Sequence, residues 1–175
     1  MRLFIAINFP ADVKATIVQS RDSLKQAALQ GNFSLDENLH LTLVFLGECD
    51  IRQANIVKSV MDYVRFEAFT LSLDKVGRFK RHGGDTWWIG LKANKTLSDL
   101  QADLTRCLIQ KGFILEDRQY SPHVTIGREI KLRQGFITPE ISQVSFTIAS
   151  IYLMKSERIN GKLTYTQVYS KSTDK

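Results

Sequence analysis

Two short stretches of one pattern, His40-Leu41-Thr42 and His123-Val124-Thr125, hold the residues best suited to chemistry. The chain has only three histidines, and two of them open this motif. Both stretches alternate polar and apolar residues, as a half-buried strand does. Residues two apart on a strand share a face, so each histidine stands beside its threonine while Leu41, Leu43, Phe45, Val124 and Ile126 turn into packing layers. If the two strands are brought together, two imidazoles and two hydroxyls converge on one small volume. An ordinary imidazole titrates near pH ~6.5, so one can act as general base and the other as general acid near neutrality. Hydroxyls can donate hydrogen bonds to the non-bridging oxygens of a phosphoryl group. The set suits in-line displacement at phosphorus. His-x-Thr offers one good metal ligand per strand and no third is evident, so neither a metal nor another cofactor is expected.

The residues around both motifs carry a resemblance. His40-Leu41-Thr42-Leu43 with Phe45-Leu46-Gly47, and Ser121-Pro122-His123-Val124-Thr125-Ile126-Gly127-Arg128, are similar to the paired signature of the two-histidine (2H) phosphoesterase superfamily. The resemblance is nearest to its bacterial RNA 2′,3′-cyclic phosphodiesterase branch, historically called 2′-5′ RNA ligase. The opening Met1–Ile7 resembles that family's first strand, and Met154-Lys155-Ser156 resembles its late serine-bearing segment. The resemblance implies a single bilobal domain over 1–175. Its fold would be α+β, with two pseudo-symmetric lobes around a central cleft, each an antiparallel-rich sheet backed by helices. The implied reaction is hydrolysis of a terminal RNA 2′,3′-cyclic phosphate to a 2′-phosphate. His123 would be the base and His40 the acid, an assignment that the residues alone leave open because the two motifs are nearly equivalent. Thr42 and Thr125 would hold phosphate oxygens. Run backwards, the same chemistry would join a cyclic end to a 5′-hydroxyl through a 2′-5′ linkage without ATP, and no P-loop motif is present.

Arg128 and Phe79 are the further substrate-binding candidates. The family places an arginine where Arg128 stands, to face the phosphate charge. Strand parity opposes this, because 123 and 128 differ by an odd number; a bulge or strand end at Gly127 would re-aim the side chain. Phe79 lies in Lys75–Gly84, a basic loop beside a Gly-Gly turn that leads into Thr86-Trp87-Trp88-Ile89-Gly90. Cations beside aromatics can hold a phosphate backbone and stack a base. The resemblance puts such aromatics on the nucleotide side of the cleft, as Phe79 or one tryptophan. Trp87 and Trp88, being adjacent, face opposite ways. His82 reads as an exposed loop residue.

Composition agrees with a globular protein that meets polyanions. The formal net charge is +6 and the sequence pI about 9.4, which favours RNA or a nucleotide as partner through long-range attraction. No run reaches the ~18 apolar residues of a membrane span, and no secretory leader is expected from the N-terminus. Cys49 and Cys107 form no Cys-x-x-Cys pair and read as reduced, buried thiols of a cytoplasmic protein. A monomer is the default expectation. Two readings compete with RNA-end hydrolysis: a non-catalytic RNA-binding module, and a phosphodiesterase acting on small cyclic nucleotides or linear 2′-5′ linkages.

The elements that must position the motifs follow from hydrophobic periodicity. The apolar run 3–7 predicts a buried strand. A helix opens at Pro10, with a stripe through Val13, Ile17, Leu24 and Ala28 and a stop at Gly31; Arg21 and Lys25 read as its solvated face. Asp50 and Gln53 have capping-box spacing before a face of Ile56, Val57, Val60, Met61 and Val64. Strands are expected at 69–73 and 86–90. A helix follows, capped by Thr96, buried through Leu97, Leu100, Leu104, Cys107 and Leu108, and ended by Gly112. After the His123 strand come strands near 144–148, 151–154 and 164–169, with Asn160-Gly161 as a hairpin turn. The expected order is β-α-β-α-β-β-α-β-β-β-β.

Overall fold

The computed structural model describes residues 1–173; the last two positions of the expected 1–175 domain lie outside the described residues. The elements run β1 (Arg2–Asn8), α1 (Ala11–Ala27), β2 (Ala28–Phe33), β3 (His40–Glu48), α2 (Ile51–Tyr63), β4 (Phe69–Phe79), β5 (Asp85–Leu91), α3 (Lys95–Gln110), β6 (His123–Leu132), β7 (Ser145–Ile148), β8 (Ser150–Ile159) and β9 (Lys162–Ser172). They form two antiparallel sheets, ordered β3-β1-β8-β9 and β2-β6-β5-β4-β7. Each sheet holds one His-x-Thr strand, and β3 meets β6 where the sheets adjoin. The expected α+β, two-sheet architecture is the one the chain adopts.

The helices interlock the sheets. α1 leaves β1 of the four-stranded sheet and packs on β2 and β6 of the other; α3 leaves β5 and packs on β3, with α2 beside it. Neither sheet can therefore bury its helix-facing side without chain from the other. Strand parity sorts β1 accordingly: Leu3, Ile5 and Ile7 enter the main core, while Phe4 and Ala6 join Met154 on the opposite face. Leu41, Leu43, Val124 and Ile126 are buried in the main core, as alternation requires, but Phe45 is not. Irregular pairing of β1 with β3 shifts the parity after Leu43, so Val44 and Leu46 turn inward and Phe45 is exposed. Cys49, Cys107 and Met61 are core residues too, and both thiols are free. Among the described residues no helix is long and apolar enough to cross a membrane.

Several local expectations hold. Asp50 and Gln53 form the reciprocal capping box of α2. Gly112, with φ +89°, follows the end of α3. Asn160 and Gly161, both at positive φ, turn β8 into β9, as an Asn-Gly hairpin should.

Other expectations are corrected. α1 ends at Ala27, and the stretch through Gly31 is a further strand, β2. Its residues are mostly exposed, so it carries no alternating pattern; backbone pairing with β6 defines it. The helix needs no glycine stop because the Arg133 amide donates to the Ala27 carbonyl (3.0 Å). Arg21 is not part of a solvated face: its guanidinium is largely covered and donates to the Ser34 carbonyl (2.7 Å), Asp22 and Asp36. β4 continues to Phe79, so half of the basic stretch is strand, and residues 80–84, turning at 82–83, connect β4 to β5.

The cap of α3 is Asn94, not Thr96. The Asn94 side chain accepts from the Leu97 amide (2.9 Å) and donates to the Thr70 carbonyl (2.9 Å), tying α3 to β4. Asn94→Ala should therefore cost about 1–2 kcal/mol in chemical denaturation, the range of a lost N-cap. Thr96→Ala should cost less than half as much; the reverse order would return the cap to Thr96.

Candidate active site

β3 carries the first histidine into the cleft on a braced approach. Arg21 holds the turn around Ser34 and Asp36, and the Asn38 side chain donates to the Leu163 carbonyl of β9 (2.8 Å). The Asn38 carbonyl lies 2.7 Å from His40 Nδ1. A carbonyl only accepts, so Nδ1 carries the proton of the neutral ring and Nε2 keeps its lone pair. The Thr42 hydroxyl donates to that Nε2 (3.0 Å). The ring is stacked obliquely on Phe4 (4.8 Å between centroids) and meets Tyr165 edge-on (5.1 Å).

β6 repeats the device with one difference. His123 Nδ1 donates to the Ser121 carbonyl (2.7 Å). Among the described residues, neither its Nε2 nor the Thr125 hydroxyl has a hydrogen-bond partner. Phe79 meets the ring edge-on at 5.2 Å, and Trp88 lies beside both, 5.4 Å from Phe79 and 6.3 Å from His123. Trp88 lies opposite Gly77 in β4, where any Cβ would be driven into the indole; glycine there gives the ring its bed. Trp87 faces the other way and is buried, as adjacency on a strand demands.

Two crossed hydrogen bonds join the motif strands. Tyr120, in the lead-in to β6, donates its hydroxyl to the Thr42 carbonyl of β3 (3.0 Å). Ser34, in the lead-in to β3, donates to the Thr125 carbonyl of β6 (2.8 Å). Each approach segment thus fixes the threonine of the other strand. The site brings together His40, Thr42, His123 and Thr125 as the two-strand expectation requires.

Arg128 joins them in spite of parity. Register shifts between β5 and β6 fall on both sides of Gly127, and Glu129 adopts φ +55°, so β6 bulges at this point. The positive charge of Arg128 acts on both His40 and His123, and on the Tyr165 phenol.

Burial and charge push both histidines the same way. Desolvation lowers the His40 pKa from its ordinary value, and Arg128, His123 and Lys14 lower it further against the pull of the Asn38 carbonyl. Desolvation also lowers His123, with Arg118 and Arg128 adding to it and the Ser121 carbonyl opposing. Both rings are neutral at pH 7 in the free protein. Burial pushes the Tyr120 hydroxyl up, so it remains a donor to Thr42. The site therefore offers two unprotonated Nε2 atoms, two threonine hydroxyls and a fixed positive charge. It suits binding an anion and moving a proton on either side of it.

Sequence reasoning missed Tyr165, Asn38, Ser34 and Tyr120, and left Trp87 and Trp88 undecided. Trp88 was recoverable, since the one of the pair sharing a face with Phe79 is set by hairpin register. Tyr120 and Ser34 act between the sheets, and Tyr165 and the Asn38 side chain act between distant strands of one sheet, so no local pattern marks those contacts.

The sequence model of the 2′-5′ RNA ligase superfamily matches residues 9–160 of this chain. A Thermotoga maritima protein named RNA 2′,3′-cyclic phosphodiesterase is 34% identical over 131 residues, covering 73% of this chain and 70% of the relative. An Escherichia coli protein of the same name is 28% identical over 166 residues, covering 94% of this chain and 92% of its own. The crystal structure of Escherichia coli LigT complexed with 3′-AMP superposes with a TM-score of 0.87 at 26% identity, covering 99% of this chain and 98% of that one.

The depressed histidines make a stability prediction. In the unfolded chain they regain their ordinary value near ~6.5, so between that pH and the lower folded values the unfolded state binds more protons. Stability should fall as pH drops through this window and level off, from these groups, below the folded values. Replacing His40 and His123 together by Gln should flatten that segment of a urea-denaturation pH series; an unchanged slope would place the depressed titrations elsewhere.

Proposed function

The chain belongs to the 2′-5′ RNA ligase superfamily, and on that premise we propose that it hydrolyses terminal RNA 2′,3′-cyclic phosphates to 2′-phosphates. The observation that carries the reading is the matched pair of neutral imidazoles, each fixed through Nδ1 to a backbone carbonyl, in a site that also feels the charge of Arg128. No group of three or more histidine, cysteine or carboxylate side chains placed to hold a metal occurs among the described residues. We assign the proton transfers to the two histidines, whose Nε2 atoms are unprotonated in the neutral rings.

Water attacks phosphorus in line with the bond to O3′. His123 Nε2 takes the water's proton as the new P–O bond forms. The P–O3′ bond breaks, and protonated His40 gives its proton to O3′, leaving the phosphate on O2′. His123 then holds a proton and His40 lacks one, and exchange with solvent resets both. The open Nε2 of His123 supports its role as base, because a base must face the water without a competing donor. His40 is the ring already engaged by the Thr42 hydroxyl, and a bound phosphate anion raises its affinity for the proton it must donate. Thr42, Thr125 and Arg128 hold the non-bridging oxygens, with Arg128 supplying charge where negative charge builds. Phe79, with Trp88, offers the terminal base an aromatic surface beside His123. The same steps reversed attach a 5′-hydroxyl to the cyclic end as a 2′-5′ linkage. Both histidines come from one chain, so a monomer suffices, and the free buried thiols fit a cytoplasmic setting.

The test is hydrolysis of an RNA oligomer ending in a 2′,3′-cyclic phosphate, in EDTA. Wild type should yield only the 2′-phosphate. His40→Ala and His123→Ala should each lose at least ~10²-fold in kcat, and Arg128→Ala roughly tenfold or more in kcat/KM, as for a lost charge-assisted hydrogen bond. No wild-type turnover, or equal turnover in all variants, overturns the mechanism.

The pH profile is a separate check. Because kcat/KM reports the free enzyme and both histidines titrate below their ordinary value there, its bell should centre below about pH 6.5. The kcat profile should extend to higher pH, where bound phosphate holds the acid's proton. A kcat/KM optimum well above 7 would contradict the assignment.

A further inference from the structure

The β4–β5 hairpin has a second face that the proposed reaction does not use. Beyond the catalytic aromatics, its turn end and the end of β6 enclose a cleft of about 460 Å³. Arg78, Arg81, Lys131 and Arg133 line it, and Trp87 and Phe136 furnish aromatic wall, with their rings edge-on at 6.0 Å. The cleft is built into the backbone. Gly84, at φ +127°, lets the hairpin turn lie directly on β6, where a Cβ would meet the Glu129 carbonyl carbon at 2.5 Å.

Its charge is unbalanced. Asp85 is the one carboxylate lining the cleft among the described residues, and it is already engaged by Arg78 (2.7 Å) and by the Arg81 amide (3.1 Å). Glu129, beside it on β6, accepts from the Asn32 side chain (2.7 Å). Arg81, Lys131 and Arg133 have no ion-pair partner among the described residues. Three uncompensated cations around the half-buried Phe136 ring match a sugar–phosphate chain, since each phosphate takes a cation and a base can lie on the ring.

The cleft also sits at a defined distance from the chemistry. β6 starts at His123, passes Arg128 and ends beside Lys131. Eight strand residues span roughly 26 Å at ~3.3 Å each, or about eight nucleotides at the ~3.4 Å per-strand stacked spacing and fewer if stretched. We propose that this cleft is a second RNA site, holding backbone phosphates of the strand upstream of the cyclic end whose hydrolysis is proposed above. The strand would leave the catalytic cleft past Arg128, cross the turn of the β4–β5 hairpin, and seat its phosphates on Arg81, Lys131 and Arg133. The site selects long single-stranded ends over mononucleotides without touching the reacting atoms.

The test compares wild type with two triple variants, Arg81→Glu/Lys131→Glu/Arg133→Glu and Arg81→Gln/Lys131→Gln/Arg133→Gln. The substrates are a nucleoside 2′,3′-cyclic phosphate and single-stranded oligomers of about two to twelve nucleotides with cyclic ends. Wild-type kcat/KM should rise with length up to about eight nucleotides. Both variants should lose that rise, the Glu triple by about tenfold or more, while keeping wild-type turnover of the nucleoside cyclic phosphate. The salt slope on the long oligomer should shrink by about 2, at ~0.7 for each single-strand phosphate no longer neutralised. Length-independent wild-type kinetics, or variants that follow wild type at every length, would overturn the proposal. So would an equal loss on the nucleoside substrate in both variants. Fluorescence anisotropy with a long RNA ending in a 2′-phosphate needs no turnover, so it judges the cleft even if the catalytic reading fails. A tenfold loss of affinity in the Glu triple supports the cleft, and equal affinity rejects it.

Discussion

The structure depends on how strands β3 and β6 are held against each other. They belong to different sheets, so no ladder of backbone hydrogen bonds fixes their spacing. Two side-chain hydroxyls set it instead: Tyr120 reaches the Thr42 carbonyl, and Ser34 reaches the Thr125 carbonyl. Both bonds end on the backbone of the threonine in a His-x-Thr motif, so they register the two motifs against each other. Exchanging helices between the sheets adds the coarse constraint, because α1 and α3 each cover the sheet they did not leave. A hydrogen bond is short and directional where apolar contact is neither. It therefore sets the separation of two side chains far more sharply than burial can.

The local chemistry follows from that placement. Each histidine has its Nδ1 occupied by a carbonyl two residues earlier in its own chain, which fixes the tautomer and the ring plane together. Aromatic rings then close around each imidazole, Phe4 and Tyr165 around one and Phe79 and Trp88 around the other. They exclude water and lower both pKa values, and Arg128 reinforces this from the bulge in β6. A site of this kind disfavours protonation and attracts anions. A bound anion opposes that bias, because its charge favours the protonated imidazole.

The cationic cleft extends the same logic outward. The chain's excess of positive charge is not spread evenly; part of it is gathered where the β4–β5 turn rests on β6, with the nearby carboxylates already engaged. Trp87 and Trp88, adjacent in sequence, serve the two faces of one hairpin, one bordering the cleft and the other bordering His123.

Much of this was legible in the sequence because strand and helix periods are local. Alternation around His40 and His123 determined the motif faces, the buried partners Leu41, Leu43, Val124 and Ile126, and the class of chemistry. Asp50 with Gln53 determined one helix start, and Asn160-Gly161 one hairpin. The sequence misled where local signals are weak or compete. β2 is exposed and carries no alternation, Asn94 outranks Thr96 because it also bonds Thr70, and Arg21 looks solvated until the turn it clamps is present. Arg128 is the clearest case: parity on a regular strand points it away, and only the bulge that β6 acquires by pairing with β2 and β5 brings its charge to both histidines. The residue types and their spacing thus determined what reaction the chain can attempt. Tertiary structure alone decided the crossed Tyr120 and Ser34 bonds, the aromatic walls and the reach of Arg128, because each is a contact between segments far apart in sequence, and no local period encodes those.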